Sequence, residues 1–156
     1  MRTVPLLAAL LLVACVHGPD YAREPLPGLH RVQQRAIRSD LMPPAADTAR
    51  AVSVFEAAWA DPRVSKALER LTIEWVEALR PGQTGETLGP VRILVVRKPG
   101  QTIGTTALVH ELCHVVLWAL RNDPDGGHTD HEVWGDKEHP DALERRVQLR
   151  LRALGL

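Results

Sequence analysis

The chain has 156 residues, enough for one domain with a real core and too few for two. Lys plus Arg and Asp plus Glu both number 19, so the formal charge is zero. A neutral chain with no long charged run offers no electrostatic case for binding nucleic acid.

The first residues read as an export signal. Met1-Arg2 supplies a short positive start. Val4 to Val13 is an apolar run broken by Pro5, and Leu12-Val13-Ala14-Cys15 follows it. The run is too short to cross a bilayer as a mature helix. Aliphatic-x-small-Cys resembles the lipobox of bacterial lipoproteins. That resemblance implies a signal peptide over 1–14, cleavage before Cys15, and acylation of the Cys15 thiol. It implies a lipid-anchored protein of the bacterial cell envelope, with the outer membrane as its expected address. Cys113 would then stand alone, with no disulfide to make.

Val16 to Pro44 holds five of the twelve prolines and reads as a tether, so 15–44 is expected to link the anchor to the domain. A short helix from Val32 to Leu41 fits within it, with Val32, Ala36, Ile37 and Leu41 on one face. The domain is expected over 45–156. Asp47 opens a helix carrying Ala51, Val52, Val54, Phe55 and Trp59. Asp61-Pro62 ends it and starts another. The apolar positions Val64, Leu68, Leu71, Trp75 and Leu79 extend that second helix through Thr72–Val76. The same stretch also alternates like a strand; the longer pattern favours helix. Pro81 to Pro90 reads as a loop. Val91 to Val96, β-branched and bounded by prolines, reads as a strand. Thr105 to Arg121 reads as an apolar helix stopped by Asn122-Asp123-Pro124-Asp125-Gly126-Gly127, and Asp141 to Leu154 as an amphipathic one. The class is α+β, mostly helical with a small sheet beside the apolar helix.

That helix carries His110-Glu111-Leu112-Cys113-His114. Histidines at i and i+4 differ by about 40° and one turn, so both rings can point at one ion. Glu111 lies about 60° round from His114, where it reaches a water rather than the ion. Two imidazoles with such a carboxylate suit zinc, which brings the pKa of a bound water to about 7. With 7 His in the chain, a chance match has a probability of about 0.02. Burying two His and a Glu in an apolar helix is costly unless something satisfies them. A catalytic zinc wants a third protein ligand and one open position. His128, His131 and Asp130 follow the Gly126-Gly127 turn and supply the candidates. Whichever of His128 and His131 does not ligate is a candidate to hydrogen-bond an oxyanion, and Asp130 to orient a ligating ring.

His110 through the breaker loop to His128 resembles the active-site segment of SprT-like (Spartan-type) zincins. The resemblance covers about 25 residues. It implies a zincin-like minimal metallopeptidase fold, with His110, His114 and His128 as zinc ligands and Glu111 as general base. The match departs after His128, where the family's Gly is Thr129 and its aromatic residue is displaced to Trp134. Gly127 to Gly135 is similar, more weakly, to an aspzincin segment. That alignment puts the third ligand at His131, where that family has Asp. His128 is the preferred third ligand and His131 the alternative. The expected activity is hydrolysis of a peptide or protein, bound extended along the edge of the Val91–Val96 strand. The alternatives are a non-catalytic zinc-binding lipoprotein, marked by a fourth protein ligand closing the site, and a structural envelope lipoprotein, marked by loss of metal binding. Trp118 and Trp134 read as core or pocket wall, Cys113 as core, and His17, His30 and His139 as surface residues.

Overall fold

The computed structural model describes residues 33–135 and 139–156. The expected signal peptide, Cys15, and the tether as far as residue 32 lie outside the described residues.

Strand alternation builds the sheet. β1 is Gln33–Ala36, β2 Thr72–Val76, β3 Gly85–Thr87 and β4 Arg92–Val96, in the order β1-β2-β4-β3. β2 runs parallel to β4, with Ile73 opposite Ile93 and Trp75 opposite Val95. All four side chains are fully buried on one face. Thr72, Glu74, Arg92 and Leu94 alternate with them on the other face, half-buried. Arg35 and Arg92 both reach Glu74 there, at 2.9 and 2.6 Å. β3 closes the sheet as an antiparallel edge strand, with Glu86 opposite Leu94.

The helices are α1 (Ala45–Trp59), α2 (Pro62–Leu68), α3 (Leu108–Arg121) and α4 (Leu143–Ala153). α3 packs on β3 and β4, α4 on α1 and α3, and α2 on α3. Their buried side chains, among them Phe55, Leu68, Leu112, Val116 and Leu151, form one core with the sheet's apolar face. Local chemistry sets the boundaries. Asp61 accepts from the Arg63 backbone N–H at 2.8 Å and caps α2, whose first residue is Pro62. α3 ends at Asn122, held in the left-handed region at φ 57°. α1 begins two residues before Asp47, and α3 three residues after Thr105, behind a 3-10 turn at Ile103–Thr105.

Four expectations are corrected. Thr72–Val76 is a strand and not a continuation of α2. A helix would set Ile73 and Trp75 about 200° apart, whereas strand geometry puts both into the core. The described part of the expected Val32–Leu41 helix is not helical in that way: Gln33–Ala36 pairs with β2, and a 3-10 turn follows at Ser39–Leu41. The buried Arg97 guanidinium donates to the Leu41 carbonyl at 2.8 Å and ties that turn to the end of β4. Residues 33–41, within the stretch expected as tether, thus pack with the sheet. The Pro81–Pro90 loop contains β3. Finally, β4 is an interior strand, so the sheet edge on its side belongs to Gly85–Thr87 rather than to Val91–Val96, with Gln33–Ala36 at the opposite edge.

Candidate metal centre

α3 carries His110 and His114 one turn apart, both half-buried, with ring centroids 4.9 Å apart. Glu111, between them in sequence, is only 4% exposed. It turns toward the edge strand, where the Thr87 hydroxyl donates to Glu111 Oε2 at 2.8 Å. Gly85 makes room for this carboxylate: a Cβ there would stand 2.4 Å from Glu111 Oε1. A glycine within a strand marks such close approaches.

The loop after α3 doubles back to deliver a third imidazole. Asn122, Asp125 and His128 all have φ between 49° and 57°, a region that disfavours non-glycine residues. Hydrogen bonds hold it there. The Asp125 carboxylate accepts from Thr129 N at 3.0 Å, Thr129 Oγ1 at 2.8 Å, Asp130 N at 2.9 Å and Trp134 Nε1 at 2.7 Å. Those bonds draw the Asp125 acid well below the usual carboxylate range, the backbone N–H of Thr129 contributing most. The loop brings His128 Nε2 to 3.3 Å from His114 Nε2. One nitrogen from each of His110, His114 and His128 falls within 4.8 Å of the others. The Trp134 ring, almost wholly buried, lies 4.5 to 5.0 Å from all three imidazoles and walls the site.

The remaining candidates lie elsewhere. His131 stacks on His139 at 4.4 Å and 14°, away from the cluster, and His139 is half-buried rather than on the surface. Asp130 forms an ion pair with Arg121 and accepts from the Glu132 backbone N–H at 3.1 Å, so it orients the loop rather than an imidazole. Cys113 is fully buried, and burial pushes its thiol well above the ordinary range.

Each α3 imidazole is oriented through its other nitrogen. His114 Nδ1–H donates to the Pro124 carbonyl at 2.6 Å, and His110 Nδ1–H to Glu144 Oε1 on α4 at 3.1 Å. This leaves both Nε2 atoms as donors to an ion. Burial pulls His114 below its ordinary pKa. Burial also lowers His128, with the neighbouring His110 and His114 adding to it. Burial opposes protonation of His110, but the hydrogen bond and charge of Glu144 outweigh it and raise the group. Glu111 is raised by burial, against the hydrogen bond from Thr87.

Three residues of this site have no counterpart in the sequence reading. Glu144 comes from a helix 34 positions beyond His110, and no local pattern links them. Gly85 and Thr87 sit in the Pro81–Pro90 stretch, which reads from sequence only as a loop.

The donor set fits a metal ion. Two nitrogens bound at about 2.0–2.1 Å to one tetrahedral ion lie about 3.3 Å apart, the separation seen between His114 and His128. Imidazole suits zinc and several other divalent transition metals alike. Comparison with protein-family models, with curated proteins and with solved structures returned no match.

Proposed function

We propose that this chain is a zinc-dependent peptidase that hydrolyses peptide bonds with Glu111 as general base. The observation that carries this reading is the convergence of His110 and His114 on α3 with His128 on the loop after it, Glu111 being the neighbour of His110 on that helix. Among the described residues the cluster offers three side chains that could hold an ion. That number suits an open, catalytic site better than a closed, structural one.

When bound, zinc supplies Lewis acidity, which eases deprotonation of a water and polarises a carbonyl oxygen. The protein's own groups do the rest. Thr87 occupies Glu111 Oε2, so Oε1 is the oxygen free to accept a proton from the attacking water. Glu111 then returns that proton to the departing amine nitrogen. Its raised pKa, set by burial, suits a group that must both take and release a proton.

Positioning falls to β3. Thr84 O and Leu88 N both bond across to β4, at 2.9 Å each, and Glu86 lies opposite Leu94. By alternation, the backbone groups of Gly85 and Thr87 face away from β4. An extended peptide adding there gains main-chain hydrogen bonds beside Glu111.

The lipobox resemblance extends the reading to an enzyme anchored to the bacterial envelope through acylated Cys15. No helix of the described residues is long and apolar enough to cross a membrane; on this reading acyl chains on Cys15 hold the protein at the membrane.

The test is zinc stoichiometry on the full chain, followed by a peptide-hydrolysis screen with Glu111→Gln as control. One zinc per chain and hydrolysis abolished in Glu111→Gln support the reading. One zinc with no hydrolysis of any peptide moves it to a zinc-binding lipoprotein. No zinc ends it.

A further inference from the structure

A cleft of about 410 Å³ opens beside the candidate metal centre. His110, Glu144, Thr84, Val96, Lys98 and Gln101 are among the residues that line it. Its position matters because Thr84 adjoins Gly85, the first residue of the edge strand. A chain paired along Gly85 and Thr87 advances about 3.3 Å per residue. Its next residues in that direction therefore pass Thr84 and enter the cleft.

The charges inside it are unequally committed. Glu144 Oε1 already takes hydrogen bonds from His110 Nδ1 and Gln148 Nε2, both at 3.1 Å. Gln101 is also engaged: its oxygen accepts from Lys98 N at 2.9 Å and its amide donates to Thr105 O at 3.1 Å. The Lys98 side chain is exposed, and the ion pairs formed among the described residues do not include it. Lys98 is thus an unpaired cation on a flexible stem, which suits a carboxylate, while Glu144 keeps its negative charge beside His110.

Resting on the peptidase reading above, we propose that this cleft is a substrate subsite in which Lys98 receives a carboxylate of the peptide. Two sources supply that group: an acidic side chain near the scissile bond, or a free C-terminus. A contact between an exposed ammonium and a carboxylate changes affinity about threefold to fivefold at low salt. It weakens as added salt screens it.

The experiment uses the zinc-loaded full chain and two readouts. The first is kcat/KM on quenched peptide pairs, with Glu against Gln on each side of the cut in turn, and free against amidated C-termini. The second is binding of the same peptides, by fluorescence anisotropy, to Glu111→Gln. Lys98→Gln and Lys98→Glu are compared at zinc content equal to wild type. The expected result is a threefold to fivefold preference for the carboxylate member. It vanishes in Lys98→Gln, reverses in Lys98→Glu and shrinks with salt. The Glu/Gln and free/amidated arms separate the two sources. Equal binding of both members, or a preference that survives in Lys98→Glu, overturns the subsite. Carboxylate-selective binding through Lys98 without hydrolysis by the wild type keeps the subsite and removes the peptidase reading. Hydrolysis with no carboxylate preference does the reverse.

Discussion

On the proposed reading, Gly85→Ala isolates the general base from everything else in the site. The added Cβ would stand 2.4 Å from Glu111 Oε1, 2.6 Å from its Cγ and 2.8 Å from its Cδ. Non-bonded heavy atoms rest about 3.5 Å apart, so the carboxylate must retreat by about 1 Å and give up the Thr87 hydroxyl. A displacement of that size costs about 100-fold in rate, equivalent to about 2.7 kcal/mol of transition-state stabilisation. Stability changes little. Losing the Thr87 bond costs about 1 kcal/mol, while replacing a strand glycine by alanine returns about 0.5–1 kcal/mol. The three nearest atoms to the new methyl all belong to Glu111 and none to an imidazole. The assay combines zinc content, a thermal melt and kcat/KM for wild type, Gly85→Ala, Glu111→Gln and the double variant. Gly85→Ala retains its zinc, melts near wild type and loses about 100-fold in kcat/KM. In the Glu111→Gln background it costs nothing further, because the displaced base is already gone. Wild-type activity in Gly85→Ala, or loss of zinc with it, refutes the reasoning.

Other outcomes follow from the same geometry. His110→Ala, His114→Ala and His128→Ala each abolish stoichiometric zinc, while His131→Ala keeps it; the reverse for His128 and His131 would move the third ligand to His131. Glu144→Ala weakens zinc about 10- to 100-fold by releasing the His110 ring, and Glu144→Gln, which still accepts a hydrogen bond, restores part of it. Competition with a chromophoric chelator measures both, and unchanged affinity in Glu144→Ala would remove Glu144 from the site. Glu74, between Arg92 and Arg35, is held below its ordinary pKa chiefly by the Arg92 hydrogen bond. A depressed carboxylate binds fewer protons folded than unfolded, so its contribution is complete above the ordinary carboxylate pKa and fades as pH falls through the folded value. Urea unfolding between pH 7 and pH 3 should show Glu74→Gln with a shallower acid loss than wild type, by at most about 1 kcal/mol. Parallel curves would mean the pair contributes nothing.

The sequence by itself determined what is encoded locally. The spacing of His110, Glu111 and His114 follows from helical geometry, and an apolar run stopped by Asn122 and the glycine turn defines that helix. The β-branched run before Pro99 marks β4 in the same way. Residues whose state depends on distant partners were not legible. Gln33–Ala36 has almost no apolar content and becomes a strand because β2 offers it an open ladder of hydrogen bonds. Thr72–Val76 reads as helix or strand until Ile93 and Val95 require Ile73 and Trp75 on one side. The choice of His128 over His131 for the cluster rests on the Asp125 hydrogen bonds that fold the loop back over Trp134. Glu144 and Gly85 reach the site from α4 and the edge strand. Periodicity reports only which face of a segment is apolar; which segments then meet is decided when their buried faces and open edges are satisfied together in one core.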